Sequence, residues 1–282
     1  MSCEDTKTRI HSLESSLNCI HSPQNYSLEK MKPAERSGTV AVLVTNETLP
    51  EEGLRLDPEP DGYILGTGNG NIWSMLSLFG QDQVPKGVIS LDHDLGVVLS
   101  GKLLVQFAKN GCSAGETLKK LFYVNEAVAC AKEIALSESN PVFCKALLDL
   151  INSGLFAEDM ALLSTLEQEN RPPDIRRRST VTHAICENWS IISQLANEGN
   201  IVFAHADLVD DHVLELIERQ VPDICRSTNI LYTSNVVDRR YRNEVNALER
   251  FNPDGKSWYV YTSQDYDDYV LRANHFPPVY PR

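Results

Sequence analysis

The chain has 282 residues, 42% of them hydrophobic, and a formal net charge of −13. This length and apolar content allow a sizeable core, built as one large domain with an insertion or as two small domains. The acidic balance argues against a nucleic-acid partner, because phosphate binding needs a basic face. The apolar runs are far shorter than the roughly 20 residues of a membrane-spanning helix, so we expect no membrane partner.

The start of the chain, residues 1–5, has neither the basic nor the apolar part of a signal peptide, so we expect a cytoplasmic protein. The seven cysteines are scattered and never form a Cys-x-x-Cys pair. Such spacing argues against a disulfide framework and a zinc site, so we expect reduced thiols and no metal. The sequence does not indicate an oligomeric state.

Residues 1–38 are polar and serine-rich, which predicts a weakly ordered arm or a few short helical turns. Residues 39–112 and 171–282 alternate apolar strands with helices, beginning with the β-branched run 39–45. This alternation predicts an α/β domain with a mostly parallel sheet and helices on both faces. Residues 113–170 are helical throughout and form an insertion, which either roofs a ligand site as a lid or only enlarges the core.

A glycine loop follows the first central strand, 62–65, and consists of Gly66, Thr67, Gly68, Asn69 and Gly70. Apolar residues at helical spacing come next: Ile72, Met75, Leu76 and Phe79. This order predicts a strand, a turn and a helix. Glycine lets a ligand approach the backbone closely, and a helix N-terminus would present amide groups to it.

The glycine spacing distinguishes two classes of cofactor. Dinucleotide loops need a third glycine at the position that Asn71 occupies. The spacing of Gly66, Gly68 and Gly70 instead resembles motif I of the class I S-adenosylmethionine-dependent methyltransferases, and the loop has no Lys or Arg for a phosphate. An ordinary glycine turn is the structural alternative.

This resemblance covers residues 39–112 and 180–263 and implies a Rossmann-like fold with S-adenosyl-L-methionine as the cofactor. It implies that Asp92, at the end of the second strand, accepts hydrogen bonds from the ribose hydroxyls. Asp94 competes for this role but is better suited to capping the next helix. We expect His93 and His205 in loops.

The resemblance also implies roles at the ends of the later strands. Asp207 would receive the adenine amino group, while the backbone of Ala206 to Leu208 reads the ring nitrogens; capping of the next helix is the alternative for Asp207. After the fourth strand, Asn235 is the preferred catalytic or substrate-orienting residue and Ser234 a weaker candidate, although Asn235 could equally form a turn.

One departure weakens the resemblance, because Leu65 stands where the family has an acidic residue before the first glycine. The leading hypothesis is a methyltransferase that acts on a small-molecule or protein acceptor. A non-catalytic module of the same fold, which binds the cofactor or a partner, is the first alternative. An NAD-dependent oxidoreductase is the second.

Overall fold

The arrangement of the sheet and its helices is given by a computed structural model. It describes residues 12–18, 44–45, 62–68, 70, 72–79, 84–168, 179–208, 210–224, 228–234, 249–251, 257–265 and 268–275. Within these ranges, no helix has the length and apolar content needed to cross a bilayer.

In the first part of the chain, the described residues form three short strands and a group of helices. It comprises α1 (12–17), β1 (Val44–Thr45), β2 (Tyr63–Thr67), a 3-10 helix (Ser74–Leu78), β3 (Gly87–Asp92) and α2 (Leu95–Lys109). Four helices follow directly: α3 (Ala114–Phe122), α4 (Val124–Ser137), α5 (Pro141–Asn152) and α6 (Leu155–Gln168).

The second part returns to alternating strands and helices. It comprises β4 (Ser179–Thr180), α7 (Thr182–Glu187), α8 (Trp189–Glu198), β5 (Ile201–His205), α9 (Asp211–Gln220), β6 (Thr228–Ser234), a 3-10 helix (Glu249–Phe251), β7 (Trp258–Asp265) and β8 (Asp268–His275).

Six strands form the main sheet in the order β5-β3-β2-β6-β7-β8. The first five are parallel, and β8 is antiparallel to β7. The expected α/β fold with a mostly parallel sheet is therefore confirmed. Strands β1 and β4 pair separately in a two-stranded antiparallel sheet, so the described part of the run 39–45 does not join the main sheet.

The sheet is covered on both faces. Residues such as Ile64, Val88 and Phe203 pack with α2, α8 and helices of the insertion. Their neighbours along the strands, such as Leu65, pack on the other face with α1 and α9. Crossovers between parallel strands are right-handed, so connections that run in opposite directions along the sheet place their helices on opposite faces.

The helical segment 113–168 forms an added layer beside α2. Helices α3, α4 and α5 contact α2, and the four helices pack on one another. The sequence predicts its caps, since Ser113 and Glu116 have the spacing of a capping box and Asn140 precedes Pro141. In the structure the capping box is formed and Asn140 caps α5. Leu121 and other side chains of this layer join the hydrophobic core, so the segment enlarges that core.

Three expectations are corrected by the structure. The segment after the glycine loop forms only the 3-10 helix Ser74–Leu78, although Met75 and Leu76 are buried as expected. The apolar spacing of Ile185, Trp189, Ile192 and Leu195 predicts one helix from about Thr182. This helix divides at Asn188, whose side chain bonds the Ser77 hydroxyl and the Ala184 carbonyl. Strand β8 was not expected, because no glycine or asparagine marks the turn before Asp268.

Helix α2 approaches the sheet closely at Gly101. A Cβ atom at this position would overlap the ring of Phe203 in β5. That ring packs in turn against Trp73, with centroids 5.5 Å apart, so it has little room to move. The contact between α2 and β5 therefore depends on the missing side chain.

We expect Gly101→Ala to lower the free energy of unfolding by about 1–3 kcal/mol, because overpacking forces the ring or the helix to shift. Gly115→Ala is the matched control, since a Cβ there meets nothing within 4 Å and alanine favours a helix. Urea unfolding of both variants checks this, and equal stability of the two would contradict the close approach.

Candidate functional site

The chain leaves the central strand β2 at the carboxyl edge of the sheet. Here β3 lies on one side of β2 and β6 on the other, so the order of the strands reverses direction at β2. In open α/β sheets, ligands bind outside the carboxyl ends of the strands at such a reversal. Gly68 and residues 206–208 follow strands at this edge, and Asp92 is the last residue of one.

Gly66 has a packing role within β2. A Cβ atom there would lie 2.6 Å from the Tyr232 carbonyl oxygen and 3.1 Å from Ile72 Cδ1. The expectation that Gly66 and Thr67 belong to an open loop is therefore wrong, because both residues are buried in β2 and paired with β3.

Gly68 forms the actual turn. Its φ angle is +78°, a value that side-chain-bearing residues rarely adopt. The Ser90 hydroxyl donates to its carbonyl oxygen at 2.5 Å, and its own N–H donates to the Leu91 carbonyl at 3.4 Å. Among the described residues other than its chain neighbours, a Cβ built at Gly68 would have two atoms within 4 Å, Asp92 Oδ2 at 3.8 Å and the Gly70 nitrogen at 4.0 Å. The turn is therefore anchored to β3, and its backbone faces the Asp92 carboxylate.

Asp92 ends β3, and its side chain is held in place by the following turn. Its Oδ1 accepts from the Asp94 N–H at 2.8 Å. Burial raises the pKa of this carboxyl from 3.8 to about 6; the charge of Asp94 adds to the rise, while backbone hydrogen bonds from Asp94 and His93 oppose it. The other oxygen, Oδ2, lies toward Gly68, so hydroxyl donors entering beside the glycine would favour the ionised carboxylate.

Asp94 takes the structural role that its position favours. Its side chain accepts from the Gly96 N–H at 2.7 Å and so caps α2. Asp210 caps α9 in the same way through the His212 N–H. The helix-capping alternative for Asp207 is therefore wrong, because Asp210 fills that position.

Residues 206–208 follow β5 and lie against Asp92. The Ala206 N–H donates to the Asp92 carbonyl oxygen at 3.1 Å. Ala206 and Leu208 are buried, whereas Asp207 between them is half-buried. This alternation leaves Asp207 as the side chain of the three that reaches toward the surface.

The carboxyl end of β6 lies on the other side of β2. Thr233 is buried there, and its hydroxyl donates to the Tyr259 hydroxyl at 3.0 Å. Ser234 is the last residue of β6. Asn69 and Asn235 lie outside the described residues, so their predicted roles remain predictions.

Two buried residues at this edge were missed by sequence reasoning. His205 is not in a loop as expected; it ends β5 opposite Asp92, and its Nε2 donates to the His93 carbonyl at 2.8 Å. Asn18 is also buried, and its Oδ1 accepts from the His205 N–H at 3.2 Å. No sequence pattern marks either residue, because their burial arises from contacts across more than 100 residues. His93 is exposed.

Comparison with known proteins adds no assignment to this site. No protein-family model matches the chain, and no curated protein matches it significantly. The geometry of the carboxyl edge is therefore the basis on which a function is proposed.

The raised pKa of Asp92 predicts a pH-dependent stability. The folded protein holds this proton more tightly than the unfolded chain, so the free energy of unfolding decreases as the pH rises from about 4 to about 6. We expect this decrease to be absent in Asp92→Asn. The free energy of unfolding of the variant, relative to that of the wild type, should therefore rise by on the order of 2 kcal/mol between acidic and neutral pH. Urea unfolding at several pH values measures it.

Glu116→Gln is a control whose stability relative to the wild type should change with pH in the opposite direction. Hydrogen bonds from Ser113 lower the pKa of Glu116 below 4.5, so its contribution is present above that pH and is lost as the pH falls. The stability of this variant relative to the wild type should therefore fall with rising pH. A pH profile of Asp92→Asn identical to that of the wild type would contradict a raised pKa of the Asp92 carboxyl.

Proposed function

We propose that this chain is an S-adenosylmethionine-dependent methyltransferase with a Rossmann-like fold. The strand order supports this fold. Counted along the chain from β2, the five parallel strands are arranged 3-2-1-4-5, which is the order of the doubly wound nucleotide-binding sheet. The first strand carries the glycine turn in that fold, as β2 does here.

The observation that carries the proposal is the turn at Gly68. Its left-handed backbone carries no side chain, and a Cβ there would lie in ordinary contact with Asp92 Oδ2, so the glycine backbone itself faces the carboxylate. The sequence of residues 66–70 contains no Lys or Arg, which suits a ligand without phosphate. The turn and the carboxylate thus fit the amino-acid and ribose parts of S-adenosylmethionine better than a dinucleotide.

Each described residue at the edge would have a distinct task. Gly68 and Gly70 would admit the methionine part of the cofactor, and Asp92 would accept hydrogen bonds from the ribose hydroxyls. Asp207 would accept from the adenine amino group, with the backbone of Ala206 and Leu208 beside the ring. When bound, the cofactor supplies an electrophilic methyl group attached to a positively charged sulfur.

In the proposed reaction, the main role of the protein is to position the acceptor and the methyl group. Transfer requires the acceptor atom to be held in line with the methyl group at a near-attack distance. Asn235 and Ser234, which follow or end β6, are the proposed groups that orient a small-molecule or protein acceptor. Strong acid or base catalysis is not required for an acceptor that is already nucleophilic.

A non-catalytic module that binds the same cofactor is the second candidate. It is favoured by Leu65, which is fully buried in β2 where the family has an acidic residue that tethers the methionine amino group. Loss of this tether weakens binding or alters the ligand without changing the sheet. An NAD-dependent oxidoreductase is less well supported, because the described residues 72–79 after the loop form a five-residue 3-10 helix, and a pyrophosphate is normally bound at an α-helix N-terminus.

We expect Gly68→Asn to weaken binding of S-adenosylmethionine at least tenfold, because the new side chain would occupy the space beside Asp92. Asparagine tolerates a positive φ better than most residues, so the fold should survive. Gly111→Asn is the matched control, since Gly111 also has a positive φ of +75° and nothing lies within 4 Å of its Cβ position. Calorimetric titration gives the affinities, and thermal unfolding compares the stabilities.

Both variants should lose similar, small amounts of stability, while only Gly68→Asn loses affinity. Unchanged affinity in Gly68→Asn would refute the proposed binding site. Binding by the wild type without methyl transfer to small molecules or to proteins would favour the non-catalytic module.

A further inference from the structure

Helix α1 covers the edge strand of the sheet. Its residues Leu13 and Leu17 are fully buried and join the cluster that contains Val202 and Ala204 of β5. Strand β5 is the first strand in the sheet order. Residues 12–18 belong to the segment for which we expected a weakly ordered arm or short helical turns. The turns are present, and they are packed against the body.

Polar side-chain contacts connect α1 to α2 on one side and to α9 on the other. Lys102 of α2 bonds Glu14 and also Glu138, the latter at 2.5 Å. Burial alone would lower the pKa of Lys102, but these two carboxylates raise it, so the lysine stays charged between them. On the other side, Gln220 of α9 donates to the Ser16 hydroxyl at 2.8 Å. Helix α1 thus bridges helices from both faces of the sheet.

Asn18 is the point where this helix contacts the candidate site. It is 1% exposed, its N–H donates to the Glu14 carbonyl at 3.0 Å, and its own carbonyl accepts from Asn140 Nδ2 at 3.0 Å. Its side-chain Oδ1 accepts from the His205 N–H. Asn18 Nδ2 is buried without an acceptor among the described residues, so the amide is held by its oxygen.

The backbone at the end of β5 is hydrogen-bonded on both sides. The Ala206 N–H points to β3 and donates to the Asp92 carbonyl, and the preceding N–H, that of His205, points the opposite way to Asn18. Successive N–H groups of a strand alternate in direction, so these two bonds fix the backbone immediately before Asp207. Without Asn18, the His205 N–H would be buried without this acceptor, which is unfavourable unless the end of β5 moves.

We propose that Asn18 is a positioning residue for nucleoside recognition: its Oδ1 fixes the end of β5 and thereby sets segment 206–208 against the adenine ring. This inference rests on the proposed function, because it assigns adenine to that segment. Asn18 itself does not touch the ligand. Its effect should therefore depend on the adenine amino group that Asp207 would read.

The test uses the full-length protein and three variants. Asn18→Leu has similar size but lacks the acceptor, Asn18→Asp keeps an acceptor oxygen and lacks the amide donor, and Ser16→Ala removes a bond of α1 on the side of α9. Two quantities are measured for each protein. The first is the hydrogen exchange of a peptide spanning 204–210 without ligand. The second is the ratio of dissociation constants for S-adenosylhomocysteine and S-inosylhomocysteine, which lacks the adenine amino group.

We expect Asn18→Leu to speed exchange of this peptide and to weaken S-adenosylhomocysteine binding about tenfold, a loss of about 1.4 kcal/mol. Binding of the inosine analogue should weaken less than threefold. Asn18→Asp and Ser16→Ala should retain the wild-type ratio. Because the ratio is taken within each variant, differences in stability cancel.

Three results would overturn the inference. Wild-type exchange in Asn18→Leu would mean that Asn18 does not hold the segment. An unchanged ratio in Asn18→Leu would reduce Asn18 to a structural contact. Equal losses in Asn18→Asp and Asn18→Leu would show that the amide donor acts instead of the oxygen. If the wild type binds neither compound, the proposed function fails and the nucleoside part of the inference with it, while the exchange data still decide the contact with His205.

Discussion

The candidate site depends on how the chain leaves its central strand. Strand β2 is buried along its whole length and paired on both edges, so the chain must turn sharply where the pairing ends. Gly68 makes that turn with a positive φ, and the Ser90 hydroxyl on β3 fixes its carbonyl. A residue with a side chain would be strained there and would also fill the space toward Asp92. The same backbone constraint therefore creates the bend and keeps side-chain atoms of residue 68 away from the half-buried carboxylate of Asp92.

The surrounding elements serve to hold the neighbouring strands at this edge. Helix α2 reaches β5 closely because Gly101 has no side chain, and helices of the insertion pack outside α2. Helix α1 covers the free side of β5 and contacts its last residue through Asn18. The ends of β3 and β5 are thus held in place by packed helices, and a rigid site of this kind suits the positioning of a ligand and an acceptor.

Local patterns predicted much of the fold. The strands at 63–67, 87–92 and 201–205, the capping box at Ser113 and the proline start of α5 follow from periodicity and capping chemistry. The sequence could not separate the packing role of Gly66 from the turn role of Gly68, because the difference is the distance to Tyr232 in a strand far along the chain. Asn18 and His205 were missed for the same reason: their burial comes from tertiary contacts, which leave no local signal.

The most direct test of the account is a structure determined with S-adenosylhomocysteine bound. The account predicts a ribose hydroxyl oxygen about 2.5–3.0 Å from a carboxylate oxygen of Asp92, with the amino-acid part of the ligand beside Gly68. A ligand bound elsewhere, or no bound ligand at saturating concentration, would contradict the claim that this turn and this carboxylate form a nucleoside site.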